Sequence, residues 1–364
     1  MKYIKGLDSL RAFAVLFVLI HHMLPRQNIH SFSGAIEQFL LPTGVFGVTL
    51  FFVLSGFLIS SILLLHAKEH NSNKLGIIKN FIVRRALRIF PIYYILLIVL
   101  ICISFPFSKG ELPYLFTYTS NFFMYGKNMW SSLGHTWSLS VEEQFYLIWP
   151  WLIIFVPKKY LKQLFIAFIG IGIGTALFFT LQRSVGFDDI TTILTPSCFD
   201  AFGIGGLYAY LRYTKCPEKK LDSIIKLSFI IALCFTVYWK LCPYFEITEK
   251  LFFLNRSMSS ILSVGSIHYV ITNKSRFITT FIFENRILVF IGKISYGIYL
   301  FHYPLITLVQ IPMTKLYYHF NQFSLFNNCY VLFSVKVITT IILSYLSFEL
   351  IEKRVLKLKK RFNY

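Results

Sequence analysis

Arg11 and His22 are the residues whose types and spacing carry the most chemistry. Both lie in one apolar stretch, LRAFAVLFVLIHH, which reads as a first membrane helix. Eleven residues at the helical rise separate them by roughly 16 Å, and eleven steps of ~100° return to within ~20° of the same face. A cation near one membrane surface is thereby aligned with an imidazole deep in the bilayer. Ionisable groups inside a membrane are costly and usually functional. The pair implies a path along one helix face, with a charge-binding end and a proton-handling end.

Other polar residues fall in apolar surroundings. Arg85 and Arg88, in RRALRIFPIYY, are three apart where a basic loop enters the third span, so they share a helix face. Their planar forks suit phosphate, and positive-inside anchoring is the plainer reading. Glu142 and Glu143 begin the fourth span after the polar run Thr136 to Ser140. A carboxylate there can orient an imidazole across two helices, or simply favour a helix N-terminus. Ser138 and Ser140 are expected to cap that helix. Ser55 and Gly56 interrupt the second span, where packing and substrate passage are both open. Tyr299 and His302 share a face of the ninth span, near Tyr296. Trp137 fits either stacking on a sugar ring or a membrane interface. Asp200 is an intramembrane acid without an evident partner, and His21 points ~100° away from His22. Taken alone, His22 also fits a core histidine bonded to a backbone carbonyl.

These groups need a membrane scaffold to position them. The chain has 364 residues, 56% hydrophobic, and only 14% are charged, against ~25% in a soluble domain. Ten helical spans are expected, near 7–24, 45–65, 89–106, 139–156, 164–182, 196–211, 224–241, 252–271, 287–309 and 331–350. Polar residues interrupt the fourth, sixth and eighth. With a cytoplasmic N-terminus, alternate loops on the inside hold 26 of the 36 Lys and Arg. The outside loops keep single or paired cations such as Arg26, Lys109, Lys127, Arg183 and Lys315. That alternation obeys the positive-inside rule and makes both termini cytoplasmic. The net charge of +20 then reflects topology and attraction to anionic lipid, and a nucleic-acid partner is excluded. The first span carries Arg11 and lacks a cleavage site, so it is not a cleaved signal. The six Cys show neither metal-ligand spacing nor a disulfide framework. The expected fold is an all-α integral membrane bundle of about ten transmembrane helices. It forms a single polytopic domain over 1–364, with no appended soluble domain. The segment 107–137 is the largest outside loop and could line the mouth of a site.

Several segments together resemble the acyltransferase family 3 of bacterial membrane O-acyltransferases. They are GLDSLRAFAVLFVLIHH with its Arg-X10-His, GVFGVTLFFVLSGFLIS, RRALRIFPIYY, HTWSLSVEEQFYLIWP, FDAFGIGGLYAYL, GKISYGIYLFHYPL and FELIEKRV. Their order and spacing run from residue 6 to about 355. Two positions depart: Cys198 stands where the family has Arg, and Arg354 where Pro is usual.

The resemblance implies an O-acyltransferase of the bacterial cytoplasmic (inner) membrane. It implies an acyl-CoA donor, most simply acetyl-CoA, and a cell-surface or lipid-linked carbohydrate acceptor, with no metal. His22 becomes the general base or transient acyl carrier, supported by Glu142. Arg11, Arg85 and Arg88 become the donor-binding residues. Ser55, Gly56, Trp137, Glu143, Tyr299 and His302 become substrate-lining. A polar path between charged groups also fits a transporter or flippase of a lipid-linked or polar solute. Such folds often repeat internally, and no matching halves occur here. The two departures also leave a non-catalytic scaffold open.

Overall fold

The computed structural model describes residues 3–24, 39–41, 43–69, 73–182, 189–241, 251–272, 279–319 and 328–362. Among them there is no strand. The long helices are α1 (Lys5–Met23), α2 (Gly44–Glu69), α3 (Lys74–Cys102), α4 (Thr136–Phe155), α5 (Leu161–Gln182), α6 (Phe199–Tyr213), α7 (Glu218–Leu241) and α8 (Asn255–Thr272). The short α9 (Arg286–Lys293), α10 (Ser295–His319) and α11 (Cys329–Ser347) follow. Arg26, Arg183 and Cys242 lie outside the described residues.

Nine of the ten expected spans each fall on one of these helices, and the ninth, 287–309, covers two, α9 and α10. Among the described residues, six helices are long and apolar enough to cross a membrane, and a seventh span results if α9 and α10, bent by 68°, count as one. Those that fail include α4, α6 and α8. Their polar side chains are turned inward: Ser138, Ser140 and Glu143 on α4, Asp200 on α6, and Ser257, Ser259, Ser260 and Ser263 on α8 are all buried. A helix walled by other helices does not need an apolar surface all round. Burial separates centre from rim. About two thirds of the α2 stretch is buried inside the protein (67%), against 11% for α7.

Local chemistry sets the helix starts. Asn73 accepts from the Gly76 amide at 3.0 Å, Asn285 from Ile287 at 2.9 Å and Asn328 from Tyr330 at 2.9 Å, each satisfying an orphan N–H of the first turn. The helix α3 begins well before the expected span, so Arg85 and Arg88 lie within it rather than where a loop enters. The centre is a close crossing of α2 and α6. A Cβ on Gly56 would strike the Phe202 backbone, and one on Gly205 would strike the Val53 carbonyl. Two glycines therefore let the backbones touch. Beside them Phe145 stacks on Phe202 with centroids 3.9 Å apart, and the buried Trp149 donates to Ser60 at 2.9 Å.

The segment between α3 and α4 is ordered by a buried acid. Glu111 accepts from the Ser108 amide at 3.0 Å and the Leu133 amide at 3.3 Å, pinning two distant stretches together. Two short helices, Leu112–Phe116 and Ser120–Lys127, lie between them. The end of this segment delivers Trp130, Gly134 and His135 to a cavity.

Candidate active site

Helix α1 carries Arg11 and His22 into two different cavities. The first, about 90 Å³, is lined by Arg11, Arg85, Arg88, Ser55, Glu142 and Tyr146, among others. The second, about 300 Å³, is lined by His21, His22, Trp130, His135, Trp137, Arg256 and Tyr303, among others. Val48 and Tyr299 belong to both walls, so the cavities adjoin across these two side chains.

In the arginine cavity three guanidinium groups face one carboxylate. Arg11 is anchored by Asp8 at 2.6 Å, one turn earlier on α1, and Tyr3 also donates to Asp8 at 2.5 Å. Arg85 lies over the Tyr146 and Phe81 rings, at 5.2 and 5.5 Å from their centroids. Ser55 donates to Glu142 at 3.0 Å, which leaves its oxygen to accept from Tyr146 at 3.1 Å. Tyr296 donates to the Ile89 carbonyl at 2.9 Å and completes the wall. The arrangement can hold an anion while one carboxylate keeps the guanidinium groups from repelling each other.

The imidazole cavity is organised by backbone carbonyls. His302 is fully buried, with Nδ1 2.6 Å from the Tyr299 carbonyl and Nε2 3.2 Å from His22 Nδ1. A carbonyl only accepts, so Nδ1 of His302 carries the proton and its neutral Nε2 accepts. His22 therefore donates from Nδ1, and when neutral it is in the tautomer whose lone pair is on Nε2. His135 stacks on Tyr303 with centroids 5.1 Å apart and donates from Nε2 to the Leu300 carbonyl at 3.2 Å. Its Nδ1 is buried with no partner. Burial pushes the His135 imidazole down to about 3, with His22 adding to the shift and the Leu300 carbonyl opposing it. This ring is neutral at physiological pH. The hydroxyls of Tyr299 and Ser138 are bonded to each other, and both lie within bonding distance of the His135 carbonyl, at 3.2 and 3.1 Å, so that one donates to the carbonyl and the other to its neighbour.

Several expectations need correction. Glu142 does not orient His22; its bonds go to Ser55 and Tyr146 in the arginine cavity. The reason is depth. Glu142 lies seven residues beyond His135, two helical turns and roughly 10 Å further along α4. His302, which was expected only to line substrate, bonds His22 Nδ1 at 3.2 Å. Glu143 is buried but lines neither cavity, because adjacent helix residues point ~100° apart. Gly56 faces α6 instead of a cavity. Ser138 does not cap α4 but donates backward to His135, and Ser140 bonds Ser120. His21 reaches the cavity beside His22, with centroids 5.0 Å apart. Asp200 has a partner, Ser257, at 2.7 Å.

Sequence reasoning missed Asp8, His135, Tyr303 and Arg256. The Asp8–Arg11 spacing of i, i+3 was a usable signal. Arg256 was not, since it reaches the cavity from the start of α8. Its guanidinium donates to the Ser197 carbonyl at 2.7 Å, next to Cys198, where the resemblance led us to expect an arginine.

A family model described as an acyltransferase domain matches residues 4–349. The chain belongs to the acyltransferase family 3. Among curated proteins, it is 30% identical to the peptidoglycan O-acetyltransferase OatA of Listeria monocytogenes, over 84% of this chain and 50% of that protein. A putative O-acetyltransferase of Staphylococcus aureus is 29% identical over 97% of this chain and 57% of its own length. The O-acetyltransferase OatA of Staphylococcus aureus is 27% identical over 98% and 58%. The chain spans about half the length of the curated relatives it matches. No solved structure matches it. The family match runs through both cavities, from Arg11 and His22 on α1 to Tyr299 and His302 on α10.

Proposed function

We propose that this chain is a membrane O-acetyltransferase that carries an acetyl group from acetyl-CoA on the cytoplasmic side to a hydroxyl of a cell-surface or lipid-linked glycan. The observation that carries the reading is that the arginine and imidazole cavities adjoin across Tyr299 and Val48. One cavity has the charge to hold a phosphorylated donor, and the other has the base to activate an alcohol. The arginine cavity is too narrow for a nucleotide but suits a slender thioester arm, so the phosphates stay at its mouth. A bound acyl-CoA supplies the acetyl group as a thioester. Arg85 and Arg88 hold its phosphates, with Arg11 at the entrance to the arm.

His22 Nε2 takes the proton from the acceptor hydroxyl as that oxygen attacks the thioester carbonyl. The carbon–sulfur bond then breaks, and the imidazolium of His22 returns its proton to the departing thiolate. His302 acts throughout as a positioning residue, accepting from His22 Nδ1. The names of the relatives and the Trp130 and Trp137 rings support a glycan acceptor. The even loop-to-loop alternation of basic residues supports ten crossings, with both termini in the cytoplasm of a bacterial cell and the bundle in its inner membrane.

The test is the purified chain in proteoliposomes, supplied with acetyl-CoA inside and glycan outside. Coenzyme A thiol release coupled to acetyl appearing on glycan is expected for the wild type and lost in His22→Ala. Equal thiol release in both removes the assignment of His22.

A further inference from the structure

Arg256 is an arginine without an acid. Its NH1 donates to the Ser197 carbonyl and its NH2 to the Thr192 carbonyl, both at 2.7 Å. A guanidinium has five N–H donors, so three are left after these two bonds. No carboxylate lies within ion-pair distance of it among the described residues. Asp200 is within its electrostatic reach, but that carboxylate already accepts from Ser257 at 2.7 Å and the Ala201 amide at 2.8 Å. The protein thus fixes a cation with neutral carbonyls in the wall of the imidazole cavity, with Asp200 near it but no acid in direct contact, and leaves three N–H donors uncommitted. Holding a charge partly away from water is unfavourable unless a counter-charge arrives. The same cavity holds two tryptophans and the unpartnered Nδ1 of His135, which can accept from a hydroxyl.

We infer that Arg256 is the seat for an oxyanion of the acceptor, so that the acceptor is an acidic saccharide and not a neutral one. This rests on the reading that the acceptor enters the imidazole cavity. The oxyanion has two chemical sources, a carboxylate on a sugar ring or a phosphate joining the sugar to a lipid carrier. Either one places the sugar rings against Trp130 and Trp137 while Arg256 fixes their register.

The experiment is binding to the full chain in nanodiscs, measured by calorimetry, with four probes. They are a hexuronate oligosaccharide, its methyl ester, a polyprenyl diphosphate sugar and the corresponding neutral polyprenyl glycoside. At least one charged probe is expected to bind about tenfold tighter than its neutral partner. Arg256→Gln is expected to erase that preference and Arg256→Lys to keep part of it. Which pair shows the preference identifies the source. Absence of any preference in the wild type, or its survival in Arg256→Gln, overturns the inference. If Arg256→Gln does not fold, the wild type decides. Its preference must shrink as salt rises from 0.1 to about 1 M, and a salt-independent preference overturns it. Acetyl transfer is scored separately on the same preparations. Transfer to neutral and acidic glycans alike sinks the Arg256 seat and leaves the transferase reading standing. A charge preference without transfer does the reverse.

Discussion

His302 Nε2 lies 3.2 Å from His22 Nδ1, while the other nitrogen of His302 faces the Tyr299 carbonyl at 2.6 Å. One backbone carbonyl thereby sets the tautomer of His302 and makes His22 Nδ1 the donor between the two rings. Removing His302 frees His22 to rotate and to adopt the wrong tautomer. His302→Ala is therefore expected to lower kcat for acetyl transfer by about 10- to 100-fold, with the KM for acetyl-CoA unchanged. The pH–rate profile is expected to change shape as well. Steady-state kinetics across pH 5.5 to 8.5 check this, and an unchanged kcat refutes the positioning role.

Arg85 and Arg88 lie on the opposite side of the Tyr299 boundary from that base. Replacing either by Ala is expected to raise the KM for acetyl-CoA about tenfold while sparing the response to glycan concentration. Lys restores charge but not the planar fork, so it is expected to recover only part of the loss. A titration of donor and acceptor separately distinguishes the two cavities.

Glu142 offers a sharper contrast. As a partner of His22 it would set the pH profile; as the counter-charge of the arginine cavity it sets donor affinity. The observed bond from Ser55 favours the second role. Glu142→Gln keeps an oxygen for Ser55 to donate to and removes the charge. The expected outcome is an altered KM for acetyl-CoA with an unshifted pH optimum. A shifted optimum would restore the imidazole pairing.

The crossing of α2 and α6 predicts a stability effect with no chemistry in it. Gly56→Ala and Gly205→Ala each place a methyl against a facing backbone, and overpacking of this kind typically costs about 1–3 kcal/mol. Thermal unfolding in detergent is expected to shift downward for both. A normal melting temperature would mean the helices can separate freely.

His135 predicts how the protein responds to acid. Its folded value of about 3 lies below the ~6.5 of an unfolded histidine. Between those values the unfolded chain binds one more proton than the folded one, so stability rises with pH across that window. Acidification from pH 6.5 downward therefore weakens the fold through this ring, and above 6.5 it contributes no slope. His135→Gln is expected to flatten the dependence. Tryptophan-fluorescence melts between pH 7 and 4 measure it, and identical slopes in both proteins contradict it.

Much of the site was legible wherever both partners share one helix. The periodicity of α1 put Arg11 and His22 on one face, and Arg85 and Arg88 follow the same arithmetic on α3. Relations between helices were not legible, because sequence spacing says nothing about relative depth. Glu142 was read as level with His22, although it lies two turns deeper on α4. Arg256 sits in LNRSMSS, which reads as an ordinary interfacial cation until α8 is docked. The helices themselves were visible from hydropathy. Polar interruptions singled out the fourth, sixth and eighth spans, which are α4, α6 and α8; that their polar faces turn inward became visible only once the helices were packed.

The junction at Tyr299 has an electrical consequence. Any protein that admits charged or hydroxylic reactants toward the middle of a bilayer risks becoming a conduit for protons and ions. Here the phenol is tied to Ser138 and to the His135 carbonyl, with Val48 beside it. Water on one side thus meets a bonded hydroxyl and an aliphatic side chain in place of a continuous file. On the proposed function, that barrier would let a cell keep its proton-motive force while acyl transfer proceeds beside it.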